Sequence, residues 1–215
     1  MSDLIYQKCD RWEQHKKTIL SNPTYRDTIL RDYFIKKRKG PDLETLREIV
    51  WDHINQKKYP TASNSELVMH VRLGDRLDGN ALMHPSNETY KKSLDLYTNF
   101  LPKNIKQDLN ISKVTVVTAM HFGGFKDRFF HTQLAEDRSF EILDIIKQHV
   151  TETELEFEIV SNDNFDKDFV YMVSSKYFMQ SFSEVSFLAS KCLRDNATII
   201  PVKLIRTHWE KAPII

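Results

Sequence analysis

The sequence predicts an α/β protein: a mostly parallel, Rossmann-like sheet of about five strands behind a helical N-terminal region. Two observations predict it. From Ser65 onward, short β-rich runs alternate with amphipathic stretches, the pattern of strands joined by helical crossovers. Before Ser65, apolar residues recur at helical spacing, interrupted at Asn22-Pro23 and Gly40-Pro41.

Within an N-terminal region of residues 1–64, residues 3–57 read as three helices. Leu4, Ile5, Trp12, Ile19 and Leu20 mark the first, and Tyr25, Ile29, Leu30, Tyr33 and Phe34 the second. Asp42 is the expected N-cap of a third, which carries Leu43, Leu46, Ile49, Val50 and Ile54. Pro60 to Asn64 is a polar connector. Residues 65–215 form the expected sheet domain. Its strands are Leu67–Val71, Lys113–Ala119, Leu155–Val160, Tyr177–Gln180 and Thr198–Pro201. Helices over Glu88–Phe100, Ser139–Val150, Lys167–Ser174 and Glu184–Leu193 connect them.

The chain has 215 residues, 40% of them hydrophobic, which is enough to bury a substantial core. Its 31 basic and 30 acidic residues give a net charge of +1, so nucleic acid is not expected as a bulk partner. The densest basic run, Lys36 to Lys39, reads as a solvated helix end, with an anion or membrane contact as the alternative. Two cysteines, Cys9 and Cys192, make neither a disulfide framework nor a metal quartet. A reduced, cytoplasmic protein is the expectation. Met1 to Arg11 lacks the apolar stretch of a signal peptide, and no run reaches the roughly 20 apolar residues of a membrane span. Three matches to the glycosylation pattern, at Asn87, Asn110 and Asn196, are therefore read as chance. The dinucleotide fingerprint is absent after the first strand, as is a Walker loop. Gly123-Gly124, after the second strand, reads as a flexible turn, with phosphate binding as the alternative.

Two constellations carry chemistry. His70, Arg72 and Asp75 gather where the first strand ends, and Gly74 lets the chain turn there. The Arg fork suits phosphate or carboxylate; the plain alternative is an Arg72–Asp75 ion pair beside a core histidine. The second constellation is Ser161-Asn162-Asp163, Asp166 and Asp168, then Ser181, Ser183 and Ser186. All occupy strand ends or helix starts on the edge that carries Arg72. Hydroxyls and backbone N–H groups there suit a phosphate, while helix capping is the alternative for each serine.

His70-Val-Arg72-Leu-Gly74-Asp75 resembles the H-x-R-x-G-D motif of the inverting fucosyltransferase superfamily. That group comprises alpha-1,2- and alpha-1,6-fucosyltransferases and protein O-fucosyltransferases. Ser161-Asn-Asp163, Asp168-Phe-Val-Tyr-Met172 and Ser181-Phe-Ser183-Glu-Val-Ser186-Phe-Leu-Ala189 are similar to its later blocks in order and spacing. His84-Pro85 and Tyr90 resemble the segment after the first motif in the alpha-1,6 group. The likeness spans Leu67 to Leu193.

The resemblance implies a GT-B-type donor domain and a metal-independent, inverting transfer from a GDP-sugar, chiefly GDP-fucose, to a glycan acceptor. It implies that Arg72 holds the β-phosphate, that His70 and Asp168 border the guanine-ribose part, and that Ser183 and Ser186 lie near the phosphates. Asp163 joins the donor-binding set. No cofactor or metal is implied. The sequence departs from the pattern at Leu73, where a second Arg is usual, and at Phe187-Leu188, in place of two Trp. Asn80 stands where the alpha-1,6 group has a Glu, and an amide cannot act as a base. Asp78 is the expected base, with Asp75 behind it. The 64 residues before the first motif do not fit the family's full N-terminal domain. Those helices form a reduced acceptor lobe, or a second copy or partner subunit completes the site. The alternatives are an inactive nucleotide-sugar-binding or scaffold protein, and a metal-dependent transferase using Asp166-Lys-Asp168 as a D-x-D triplet.

Overall fold

The computed structural model describes residues 43–77, 86–100, 110–118, 133–161, 165–181 and 183–200. The two expected N-terminal helices, and the expected N-cap Asp42, lie outside these residues.

Helix α1 (Leu43–Asn55) comes first. It stops in a Schellman turn: Lys57, at φ 52°, donates its N–H to the Ile54 carbonyl, and Lys58 donates to that of His53. Strand β1 (Glu66–His70) leads into a 3-10 turn, Gly74–Leu77. Helix α2 (Ser86–Asp95) continues into a π turn, Leu96–Phe100. Then come β2 (Lys113–Val117), α3 (Gln133–Thr151), β3 (Glu156–Val160), α4 (Phe165–Ser174), β4 (Tyr177–Met179), α5 (Glu184–Cys192) and β5 (Thr198–Ile200).

The strands form one sheet in the order β3-β2-β1-β4-β5, and every pairing is parallel. Both faces are covered, as parallel sheets require. Val68, Val117 and Phe178 point to one face and pack under α1, α4 and α5. Leu67, Met69, Val114, Val116 and Met179 point to the other and pack under α3 and the π turn. Single-residue alternation along β1 and β2 thus feeds two separate cores. No helix among the described residues is long and apolar enough to cross a membrane.

The expected α/β class and the five strands agree with this architecture. Two helices differ from expectation. The helix expected over Glu88–Phe100 is α-helical only to Asp95, then widens into the π turn. Helix α3 begins at Gln133 rather than Ser139. Its first turns carry polar residues that are good helix formers, and their face is closed by small Ala135 and Ser139, which a search for large apolar residues passes over.

The strand order creates a reversal in the sheet. The chain lays down β1, moves outward to β2 and β3, then crosses back to place β4 on the other side of β1. The reversal between β1 and β4 is a topological switch point. In open α/β sheets the crevice outside the carboxyl ends of such strands takes the ligand.

The opposite end of β1 is closed. Glu66 is only 2% exposed. Its carboxylate accepts hydrogen bonds from the Thr115 hydroxyl, from Tyr171 (2.6 Å) and from the Ser63 backbone N–H (3.0 Å). Lys113, paired with Glu158, stands close by. Burial alone would raise the Glu66 pKa; these hydrogen bonds and the Lys113 charge together hold it below the usual carboxylate value.

Candidate functional site at the switch point

The loop leaving β1 is fixed by the protein's own contacts. Val71 extends the ladder by donating its N–H to the Val117 carbonyl (3.0 Å), and Thr118 Oγ1 donates to the Val71 carbonyl (2.8 Å). Leu73 and Leu77 are buried and anchor both ends of the turn. Gly74 sits at φ 76°, where a side chain would cost about 1–2 kcal/mol. Its N–H donates to Ser139 Oγ (3.1 Å), and that hydroxyl donates to the Ala135 carbonyl (2.6 Å). Arg138 lies over the Tyr90 ring at 4.3 Å and donates to the Leu77 carbonyl (2.7 Å). Helix α3 therefore clamps the turn, and the turn sets where Arg72 emerges.

Leu73 stands at a position where the motif that the sequence resembles usually has a second arginine. The position is fully buried among the residues of the α3-side core. A second arginine there would bring an unpaired charge into that core.

The loop leaving β4 is held as firmly, from α5. Ser181, 2% exposed, donates its backbone N–H to Ser186 Oγ (2.8 Å). Gln180 donates through Nε2 to Ser190 Oγ (2.5 Å), which in turn donates to the Phe187 carbonyl (2.7 Å). Ser183 occupies the N-cap of α5 in an extended conformation (φ −133°, ψ 138°), yet its hydroxyl makes no capping hydrogen bond. Capping thus explains neither serine. Ser186 braces the loop, and Ser183 keeps its hydroxyl at a helix start.

The two loops meet through one contact: His70 Nδ1 and Ser181 Oγ share a 2.8 Å hydrogen bond. Burial, with the Arg72 guanidinium beside it, pushes the His70 pKa down to about 3. His70 is thus a neutral hydrogen-bonding group at physiological pH and a poor proton acceptor, so this pair does not work as nucleophile and base. Arg72 is partly buried and engaged by neighbours.

Of the residues expected from sequence, His70, Arg72, Ser183 and Ser186 come together at the β1/β4 edge. Asp168 and Asp166 lie in the first turn of α4, the helix that follows β3 in the chain, and both are engaged and buried, at 6% and 4% exposure. Asp75 is in the 3-10 turn after Gly74. Asp78 and Asp163, as well as Asn80 and Gly123-Gly124, lie outside the described residues. No cluster of three or more His, Cys, Asp or Glu suited to a metal ion occurs among the described residues. Sequence reasoning placed Ser181 in the second constellation without giving it a role, and it missed Arg138 and Ser139. Ser181 opens the serine block and was legible as part of it; the two α3 residues carry no local signal.

No family model, curated protein or solved structure matches this chain.

Proposed function

We propose that this chain is a glycosyltransferase that binds a GDP-sugar, fucose foremost, at the β1/β4 switch point and transfers the sugar with inversion to a glycan hydroxyl. The observation that carries the reading is the 2.8 Å hydrogen bond between His70 and Ser181. It joins the two sequence blocks that resemble the fucosyltransferase motifs, at the edge where open α/β sheets take ligands.

Each group has a part in this reaction. Departure of GDP builds charge on the β-phosphate, which fixed donors stabilise. Arg72, the first-turn N–H groups of α5 and the Ser183 hydroxyl supply them, and no metal is required. His70 and Asp168 border the nucleoside, together with Asp163. His70, neutral, does not serve as the base, so deprotonation of the acceptor falls to Asp78, supported by Asp75. A transferase built on the D-x-D triplet would use Asp166 and Asp168, both buried in the first turn of α4.

Calorimetric titration without metal tests the reading. GDP and GDP-fucose are expected to bind, and UDP to bind weakly. Arg72→Ala should cost about 1.5–3 kcal/mol, a ten- to hundredfold loss in affinity. Equal affinity for GDP and UDP, or binding that survives Arg72→Ala, defeats the assignment. An inactive binder shares this crevice, and Asn80 favours it. Donor hydrolysis separates the two: turnover lost in Asp78→Ala identifies an enzyme.

A further inference from the structure

We propose that Ser181 is a positioning residue: its hydroxyl donates to His70 Nδ1 and holds the imidazole with its proton on Nε2, so that His70 faces the crevice as a hydrogen-bond donor.

Satisfied valences dictate this arrangement. A neutral imidazole has one N–H and one bare nitrogen, and a serine hydroxyl has one proton to place. Ser181 is buried, and its backbone N–H is already committed to Ser186 Oγ. Among the described residues, the only hydrogen-bond partner of Ser181 Oγ is His70 Nδ1, at 2.8 Å. If Nδ1 carried the ring proton, it would donate to the hydroxyl oxygen, and the hydroxyl proton would be left without an acceptor among these residues. Buried hydroxyls avoid that state. The satisfied arrangement runs from Ser181 Oγ–H to a bare Nδ1, which puts the ring proton on Nε2. That nitrogen makes no hydrogen bond to the described residues, and the His70 side chain is only partly buried at the strand end. Arg72, which also presents only N–H donors, is close enough to act on the ring's charge.

The consequence concerns ligand chemistry. With His70 fixed as a donor, the crevice offers N–H groups from His70, Arg72 and the start of α5. Such a lining selects a group rich in acceptor oxygens and rejects one that must donate. That this group belongs to a guanosine diphosphate rests on the function proposed above; the tautomer does not.

The test uses the whole chain labelled with ¹⁵N-histidine. A two-bond ¹H–¹⁵N spectrum at neutral pH reports which ring nitrogen carries the proton, and His70→Ala identifies the His70 cross-peaks among the eight histidines. The expected result is a protonated Nε2 in the wild type. Ser181→Ala should shift the ring toward a mixture of tautomers and weaken GDP binding about three- to tenfold; Ser181→Thr, which keeps the hydroxyl, should restore both. A wild-type ring protonated on Nδ1, or a tautomer unmoved by Ser181→Ala, overturns the proposal. The wild-type spectrum decides the matter even where Ser181→Ala fails to fold. If the tautomer responds as expected while GDP does not bind the wild type, the positioning role stands and the GDP-sugar reading falls.

Discussion

Glu66 and His70 occupy opposite ends of β1 and, four residues apart, the same face of it. Both are ionisable groups held in protein surroundings. Their treatment differs. Glu66 collects three donors from three separate parts of the chain, and its carboxylate is satisfied from within. Among the described residues His70 receives one partner, Ser181, and its second nitrogen makes no hydrogen bond to them. A polar group that a fold uses for its own cohesion has its valences filled by that fold. A group meant for a ligand is steadied on one side and left incomplete on the other. By that criterion the amino end of β1 is architecture, and the carboxyl end is the candidate site.

Substitutions can break this contrast. Glu66→Ala should have the largest effect, about 2–4 kcal/mol of stability, because it strands the Thr115 and Tyr171 hydroxyls and the Ser63 N–H. Urea denaturation measures the loss. The folded fraction should bind GDP with unchanged affinity; a binding defect there would erase the distinction between the two ends.

Acid sharpens the comparison. The folded-state pKa of His70, about 3, lies below its ordinary 6.5, so the unfolded chain binds the extra proton. Stability from this group is complete above pH 6.5 and is lost as pH falls toward 3. Between pH 6.5 and 5 the loss is about 1–2 kcal/mol. Glu66, whose pKa is also lowered, gives way in the same direction but only below its ordinary 4.5. Urea midpoints at pH 7.5 and 5 should therefore converge in His70→Gln and stay apart in the wild type. A pH dependence that survives His70→Gln assigns it elsewhere.

Ser183→Ala should be the smallest change. Without a capping bond to lose, it should cost less than the usual ~1 kcal/mol of an N-cap serine. Its effect should appear in GDP affinity instead, about two- to fivefold by titration.

The sequence made the strands legible because β1, β2 and β4 are buried on both faces and read as apolar runs. Helix α1 was legible from the spacing of Leu46, Ile49, Val50 and Ile54. Strand order was not. Periodicity says which way a side chain points, not which strand lies beside it, so nothing local placed β4 against β1. The meeting of His70 with Ser181 was hidden for that reason, although both residues stood in recognised blocks. The clamp on Gly74 was hidden by a different cause. Ser139 and Arg138 are ordinary helix residues in sequence, and only the packing of α3 beside the turn gives them work.

The position of β1 also bears on how the chain comes to be made. It is synthesised first of the five strands and ends in the middle of the sheet, with His70 separated from Ser181 by 111 residues. At ribosomal speeds that interval lasts roughly 5–20 s. During it, β1 can pair with β2 along one side, while its other side is an apolar strand edge awaiting β4. Such an edge is a template for pairing with a neighbouring nascent chain. The strand order thus leaves the centre of the sheet with an unpaired edge until β4 is made.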